Sequence, residues 1–302
     1  IIGLGCEANQ VKQLVEKYGL TDTSRIFYFN IQSAGGTRAS IEKASEKIRQ
    51  MSNDYRHAER RPAPLRHLTV ALQCGGSDGY SGITANPALG HAADLIVQHG
   101  GSVILSETPE IYGAEHLLLD RAINEDVARK LLERIEWWKH YTQINGAELN
   151  NNPSPGNKAG GLSTILEKSL GAVAKSGTSS LNDVLEYAQP LKEPGFNFMD
   201  SPGYDPVSVT GQIASGATVV CFTTGRGSVS GFKPAPCIKL ATNTQMYESI
   251  LEDMDINCGT IVDGTATVEE VGEHIFEKII AIASGEQSAS ESLGYGNNEF
   301  VP

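Results

Sequence analysis

Residues 72–90, LQCGGSDGYSGITANPALG, place a thiol, a carboxylate, hydroxyls and glycines between an apolar run and a helix start. Cys74 and Asp78 are metal-ligand types, while Gly75 and Gly76 let backbone approach a ligand closely. A tight glycine turn with Asp78 accepting backbone N–H groups is the competing use of the same residues. Residues 106–113, SETPEIYG, bring Glu107 to the end of the next apolar run and Glu110 into a first helical turn. Both suit acid/base work or metal ligation, although the helix dipole alone also favours Glu110. Polar chemistry gathered at strand ends is the pattern of active sites in open α/β sheets, so an enzyme is expected.

A second cluster follows a later apolar run. Thr223-Thr224-Gly225-Arg226-Gly227-Ser228 reads as an anion-binding turn in which Arg226 holds a carboxylate and the hydroxyls complete the cradle. Lys239 and Asn243 would add charge and hydrogen bonds; an ordinary βα loop with a solvated arginine is the alternative. Asn86-Pro87, Thr108-Pro109 and Asp205-Pro206 each put an N-capping residue type before a proline suited to the first helical position. The seven histidines form no HxH or HExxH pattern, so there is no zinc signature; His116, near Glu110 and Glu115, is a minor acid/base candidate. Gly3–Ala8 fits GxGxxG/A only weakly, and no GxxxxGK[ST] occurs.

The elements that must position these residues alternate. Apolar runs at 1–4 and 26–31 precede a long polar helix at 37–59 and a proline-rich linker at 60–67. Strands are expected at 68–72, 103–105, 196–199, 218–222, 238–241 and 256–261. Helices are expected at 87–98, 109–122, 125–141, 207–214, 245–254 and 267–284, the last opened by a Thr267/Glu270 capping box. Residues 149–161 read as a polar Gly/Pro loop. This alternation predicts an α/β fold with a mainly parallel, doubly wound, Rossmann-like sheet and flanking helices. Residues 1–62 would close a middle α/β domain and 63–302 would form a second one.

The 302 residues suffice for a substantial core, and the formal charge of −12 argues against a nucleic-acid partner. No apolar run reaches the roughly 18–20 residues that span a bilayer. Five scattered cysteines without a CxxC pair suggest a reducing, cytoplasmic setting. The opening IIGLGCE reads as a strand cut near its start, so a fragment of a longer protein is expected.

The blocks GLGCEANQ, QSAGGTR, LQCGGSDGYSGITANPALG, ILSETPEIYGAEHLL and NNPSPGNKAGGLSTILEKSLGAVAKSG resemble altronate and galactarate dehydratases in sequence and order. So do MDSPGYDPVSVTGQIASGA, CFTTGRGS, PAPCIKLATNT, DMDINCG and SLGYGNNEFVP. The resemblance implies a hydro-lyase that converts a sugar acid, altronate before galactarate, into a 2-keto-3-deoxy acid. It also implies a divalent metal, iron(II) or manganese(II) with magnesium as an alternative, and an amino-terminal SAF domain absent from this sequence, carried on the same chain or as a separate subunit. On this expectation Cys74, Asp78 and Glu107 ligate the metal, and Glu107, Glu110 and Lys158 do acid/base work. Ser77, Asn86, Asn157, Thr223, Thr224, Arg226, Lys239 and Asn243 bind substrate. A homodimer is a candidate assembly. A lyase for another small hydroxy acid such as sulfolactate, or a non-catalytic sugar-acid binding module, are the rival readings.

Overall fold

The computed structural model describes residues 1–20, 22, 25–55, 59–297 and 301. The chain divides into two compact units, Ile1–Pro62 and Ala63–Pro302. In the first, β1 (Ile2–Gly3) pairs in parallel with β2 (Phe29–Asn30), accompanied by α1 (Val11–Lys17) and α2 (Thr37–Tyr55). Val11, Val15 and Phe29 are buried there. The expected helix at 37–59 is present as far as Tyr55; its continuation through 56–58, with His57, lies outside the described residues. The glycine fingerprint is closed from within, because the Glu7 carboxylate accepts the Gly5 N–H at 2.6 Å. That donor is one a bound phosphate would use.

The second unit is built on seven parallel strands: β3 (Thr69–Cys74), β4 (Ser102–Ser106), β5 (Leu181–Leu185), β6 (Gly195–Met199), β7 (Val219–Thr224), β8 (Cys237–Ala241) and β9 (Ile256–Asn257). Their order is β5-β6-β4-β3-β7-β8-β9. The helices are α3 (Ala85–Gln98), α4 (His116–Leu119), α5 (Glu125–Ile144), α6 (Pro155–Ala159), α7 (Ile165–Ala174), α8 (Asp205–Ser215), α9 (Thr244–Ser249), α10 (Val268–Ala283) and α11 (Ala289–Ser292).

Strand residues are buried on both faces, as a helix-covered parallel sheet requires. Val70, Leu72, Val103, Leu105, Phe196 and Phe198 pack with α3, α5, α7 and α10, whereas Ala71, Val220 and Phe222 pack with Val209 of α8. The doubly wound α/β architecture expected from the alternation is therefore the one observed. The carboxyl ends of β3 and β7 lie side by side, with β4 beyond β3. Strand order reverses across β3 and β7, which opens the crevice where such folds bind ligands.

Several local expectations are corrected. The helix expected at 109–122 is a 3-10 turn, Thr108–Ile111, followed by the short α4; Gly113 separates them at φ +89°. The loop at 149–161 contains α6, opened by a capping box between Ser154 and Asn157. Helix α7 and strand β5 were not anticipated, and the strand at 256–261 stops at Asn257. The three proline-preceding residues cap nothing. Asn86 lies inside α3, Thr108 opens the 3-10 turn and Asp205 is the first residue of α8, so their side chains are free for other partners.

Candidate active site

A cavity of about 580 Å³ opens at the carboxyl edge of the large sheet. The end of β3 supplies Cys74, Gly75 and Gly76, and the segment after β4 supplies Glu107 and Glu110. Asp205 comes from the start of α8, Arg226 from the turn after β7, Lys168 from α7, and Asn152 and Asn157 from the connection between α5 and α7. Gly75 is required by close approach: a Cβ there would meet the Asp205 carboxylate and the Phe222 ring. Of the residues expected from sequence, Cys74, Glu107, Glu110, Asn157 and Arg226 line this cavity.

Three carboxyl groups share it. Glu107 is 2% exposed and held at φ +72°, ψ +72°, a left-handed conformation that a residue with a Cβ adopts only under constraint. The constraint is local: Ser201 Oγ accepts the Glu107 N–H at 3.0 Å, and the next N–H, of Thr108, goes to the Ser201 carbonyl. Glu107 Oε2 is buried without a hydrogen-bond partner. Burial pushes the Glu107 carboxyl well above the usual range, and Glu110, Asp205 and Cys74 add to that while Lys175 opposes it.

Glu110 differs. Its Oε1 accepts from Asn152 Nδ2 at 2.5 Å and from Lys168 Nζ at 2.9 Å, leaving Oε2 buried and unpartnered. Asp205 is raised to about 6, by burial first and by Glu110 second, against the pull of Lys175 and Lys168.

The cations are graded by depth. Arg226 is exposed at the rim and makes no hydrogen bond or ion pair among the described residues. Lys168 sits in the wall. Lys175, at the end of α7, is 1% exposed beneath the floor, with Nζ 2.9 Å from Cys74 Sγ. Burial works against the Lys175 charge, but Cys74, Glu107 and Glu110 outweigh it and leave its value raised. Sequence reasoning missed Lys168, Lys175, Asn152 and Asp205 as site residues. Lys168 and Lys175 interrupt an otherwise largely apolar stretch, LEKSLGAVAK, behind a Thr164-x-x-Glu167 helix start that was there to be read.

The other expected site residues do not face the cavity. Asp78 is buried, and its carboxylate accepts from Tyr80 N, Ser81 N, Ser81 Oγ, Thr242 Oγ1 and Asn243 Nδ2 at 2.9–3.1 Å. The glycine-turn use of Asp78 is thus the one realised. Asn243 caps α9 through Met246 N. Thr223 Oγ1 donates to Asn86 Oδ1, and Asn86 Nδ2 donates to the Gly171 carbonyl, tying β7, α3 and α7 together. Buried Lys239 donates to the Ser228 carbonyl beneath the Tyr295 ring. Ser77 is buried and its carbonyl accepts from Asn157; Thr224 is buried, and Lys158 and His116 are exposed away from the cavity.

The expected metal ligands accordingly do not assemble. Asp78 has no free acceptor, Cys74 Sγ already receives the Lys175 ammonium, and Glu107 alone offers an unpartnered oxygen. Among the described residues no three His, Cys, Asp or Glu side chains are arranged to hold an ion. The described residues do not fit a divalent metal by themselves.

The family profile "D-galactarate/Altronate dehydratase, C-terminal" matches residues 65–302, and "D-galactarate dehydratase/Altronate hydrolase, second domain" matches residues 1–56. The chain belongs to the galactarate/altronate dehydratase family. It is 40% identical to galactarate dehydratase (L-threo-forming) of Escherichia coli (strain K12), over 100% of this chain and 59% of the relative. It is 39% identical to altronate dehydratase of the same organism, over 96% of this chain and 58% of the relative. The altronate dehydratase of Bacillus subtilis (strain 168) is 38% identical over 95% and 57%. The chain thus spans 57–59% of the length of these relatives. No helix among the described residues is long and apolar enough to cross a membrane.

Proposed function

We propose that this chain carries the acid/base centre of a sugar-acid dehydratase that removes water from a 2,3-dihydroxy acid to give a 2-keto-3-deoxy acid. The observation that carries the reading is a pair of buried carboxyl oxygens, Glu107 Oε2 and Glu110 Oε2, unpartnered in one cavity at the carboxyl edge of the sheet. Buried polar atoms are ordinarily satisfied, so two such orphans on one wall are acceptors or donors kept for a ligand.

Environment divides the roles. Glu110, fixed through Oε1 by Lys168 and Asn152, presents Oε2 as the base for the C2 proton. Glu107, whose carboxyl is raised by burial and neighbours, holds its proton and gives it to the departing C3 hydroxyl. The C2–H electron pair passes through the carboxylate enediolate and then forms C2=C3 as the C3–O bond breaks. Water leaves, and the enol tautomerises to the ketone. Asp205, near 6, lies beside both groups and can return the proton from Glu110 to Glu107 between turnovers.

Arg226 is the cavity-lining cation without a protein partner among the described residues, so it anchors a substrate carboxylate bidentately. A single free cation facing three carboxyl groups favours a monocarboxylate such as altronate over the dicarboxylate galactarate. Iron(II), manganese(II) or magnesium serving this reaction needs donors beyond Cys74, Asp78 and Glu107. The cysteines are free, four of them buried, which suits the reducing cytoplasm.

The test is 2-keto-3-deoxy acid formation by the full-length gene product from D-altronate, galactarate and sulfolactate, each with and without iron(II) or manganese(II). Turnover of D-altronate above galactarate is expected. Binding of the acids by folded protein with no dehydration would replace this reading with a sugar-acid binding module.

A further inference from the structure

We infer that Lys168 is a catalytic residue, the fixed cation that takes up the negative charge developing on the substrate carboxylate when C2 is deprotonated. The inference rests on the dehydration reading above and adds a residue to it.

Removing a proton next to a carboxylate makes an enediolate carrying two negative charges, and a low-dielectric pocket does not tolerate the second charge without a placed counter-charge. Of the lysines and arginine around the site, Arg226 is exposed at the rim and Lys175 lies under the floor against Cys74. Lys158 and Lys239 face elsewhere. Lys168 both lines the cavity and is half-buried, with its side chain 10% exposed.

Its geometry is that of a positioned donor. Lys168 Nζ donates to Glu110 Oε1 and to Asn152 Oδ1, each at 2.9 Å, and a lysine ammonium carries a third N–H. Asn152 closes the triangle by donating its own Nδ2 to Glu110 Oε1. An ammonium held at two points has lost the freedom of a surface lysine before substrate arrives, which is the preorganisation charge stabilisation needs.

The pairing also fits the substrate. The atom that loses the proton, C2, is bonded to the carbon bearing the carboxylate, so base and counter-charge must sit side by side. Glu110 and Lys168 are joined by one ion pair of 2.9 Å. When C2–H breaks, the proton goes to Glu110 Oε2, the electron pair forms C1=C2, and the third Lys168 N–H faces the C1 oxygens. That pair then forms C2=C3 as C3–O breaks, and Glu107 protonates the leaving hydroxide. Lys168 keeps its proton throughout.

The experiment compares wild type, Lys168→Met and Lys168→Arg in the full-length gene product, measuring kcat and KM for D-altronate and galactarate and C2 proton exchange in D₂O. Lys168→Met is expected to lower kcat and C2 exchange together by about 10²–10³-fold while KM changes by no more than about fivefold. Lys168→Arg is expected to regain about tenfold of the loss, since it keeps the charge but not the geometry. A Lys168→Met protein with wild-type kcat and only a lower melting temperature overturns the assignment, because the ion pair is then structural. A rise in KM at unchanged kcat overturns it equally.

If Lys168→Met does not fold, Asn152→Ala removes one anchor of the ammonium and leaves the ion pair. A fall in kcat of about tenfold at unchanged melting temperature is then expected, and an unchanged kcat overturns the proposal. No turnover of either acid by wild type overturns the dehydration reading and this inference with it. Wild-type turnover with an indifferent Lys168→Met overturns the Lys168 assignment alone.

Discussion

Two polar clusters sit at the same sheet edge and look alike in composition, yet they are in opposite states. The cluster after β3, β7 and β8 is saturated: the Asp78 carboxylate, Thr242, Asn243, Thr223 and Asn86 meet one another or backbone at hydrogen-bond distance. The cluster after β4, with α7 and the start of α8, is incomplete: Glu107 and Glu110 each keep a buried oxygen without a partner, and Asp205 is held far above its ordinary value. The saturated group builds the turns. The incomplete group bears a cost that only a ligand or a transferred proton can offset.

The largest effects follow from exchanging the two. Glu107→Gln and Glu110→Gln are expected to lower kcat of the full-length gene product by about 10²–10⁴-fold, the usual worth of a positioned acid or base. Glu110→Gln should cost stability, because it strips the enclosed Lys168 ammonium of its counter-charge; for Glu107→Gln stability to urea should hold or rise, because a buried ionisable group becomes a neutral isostere. Asp78→Ala should do the reverse. Its several donors would be left unpaired, at about 3–5 kcal/mol of stability by urea unfolding. Loss of stability from Glu107→Gln equal to that from Asp78→Ala would erase the distinction between the clusters.

That distinction explains what was legible beforehand. Residue types and strand-end placement located the sheet edge and the βα alternation, because burial and turn chemistry act through local sequence. They could not separate Asp78 from Glu107, since both are carboxylates beside glycines or prolines after apolar runs. What separates them is whether Thr242 and Asn243, far along the chain, arrive to fill the acceptors, and that is a property of strand order. Asp205 shows the same limit. Its type and the following proline pointed to a cap, but Tyr204 takes the cap position and the carboxylate turns into the cavity. Lys168 and Lys175 went unread because nothing in a short, largely apolar stretch says whether its lysines face solvent or a cavity.

A smaller effect should appear in stability against pH. Asp205 stands at 3.8 ordinarily and at about 6 in the folded protein, so the folded state binds its proton more tightly than the unfolded one. The stabilisation from that proton is complete below pH 3.8 and is lost as pH rises through about 6. The shift is worth about 2–3 kcal/mol over that window at most, shared with Glu107, which is displaced in the same direction. Asp205→Asn should flatten this part of the profile in urea unfolding measured from pH 4 to 7. An unchanged slope would mean that Asp205 is solvated or paired in solution and does not belong to the incomplete cluster.

The smallest effect is the sharpest test of what an unpartnered atom means. Thr224 lies in the saturated region, yet its Oγ1 is buried with no hydrogen-bond partner. It is packed close to Gly76 and does not line the cavity. If orphan atoms signal function only where a ligand can reach them, the Thr224 hydroxyl is a simple desolvation cost. Thr224→Val should then leave KM and kcat unchanged and raise stability by up to about 1 kcal/mol, the gain from replacing an unsatisfied hydroxyl with a methyl of similar shape. A rise in KM at unchanged stability would instead place the hydroxyl on the substrate, as the Thr-Thr-Gly-Arg pattern suggested, and would extend the reactive wall from β4 across the sheet to β7.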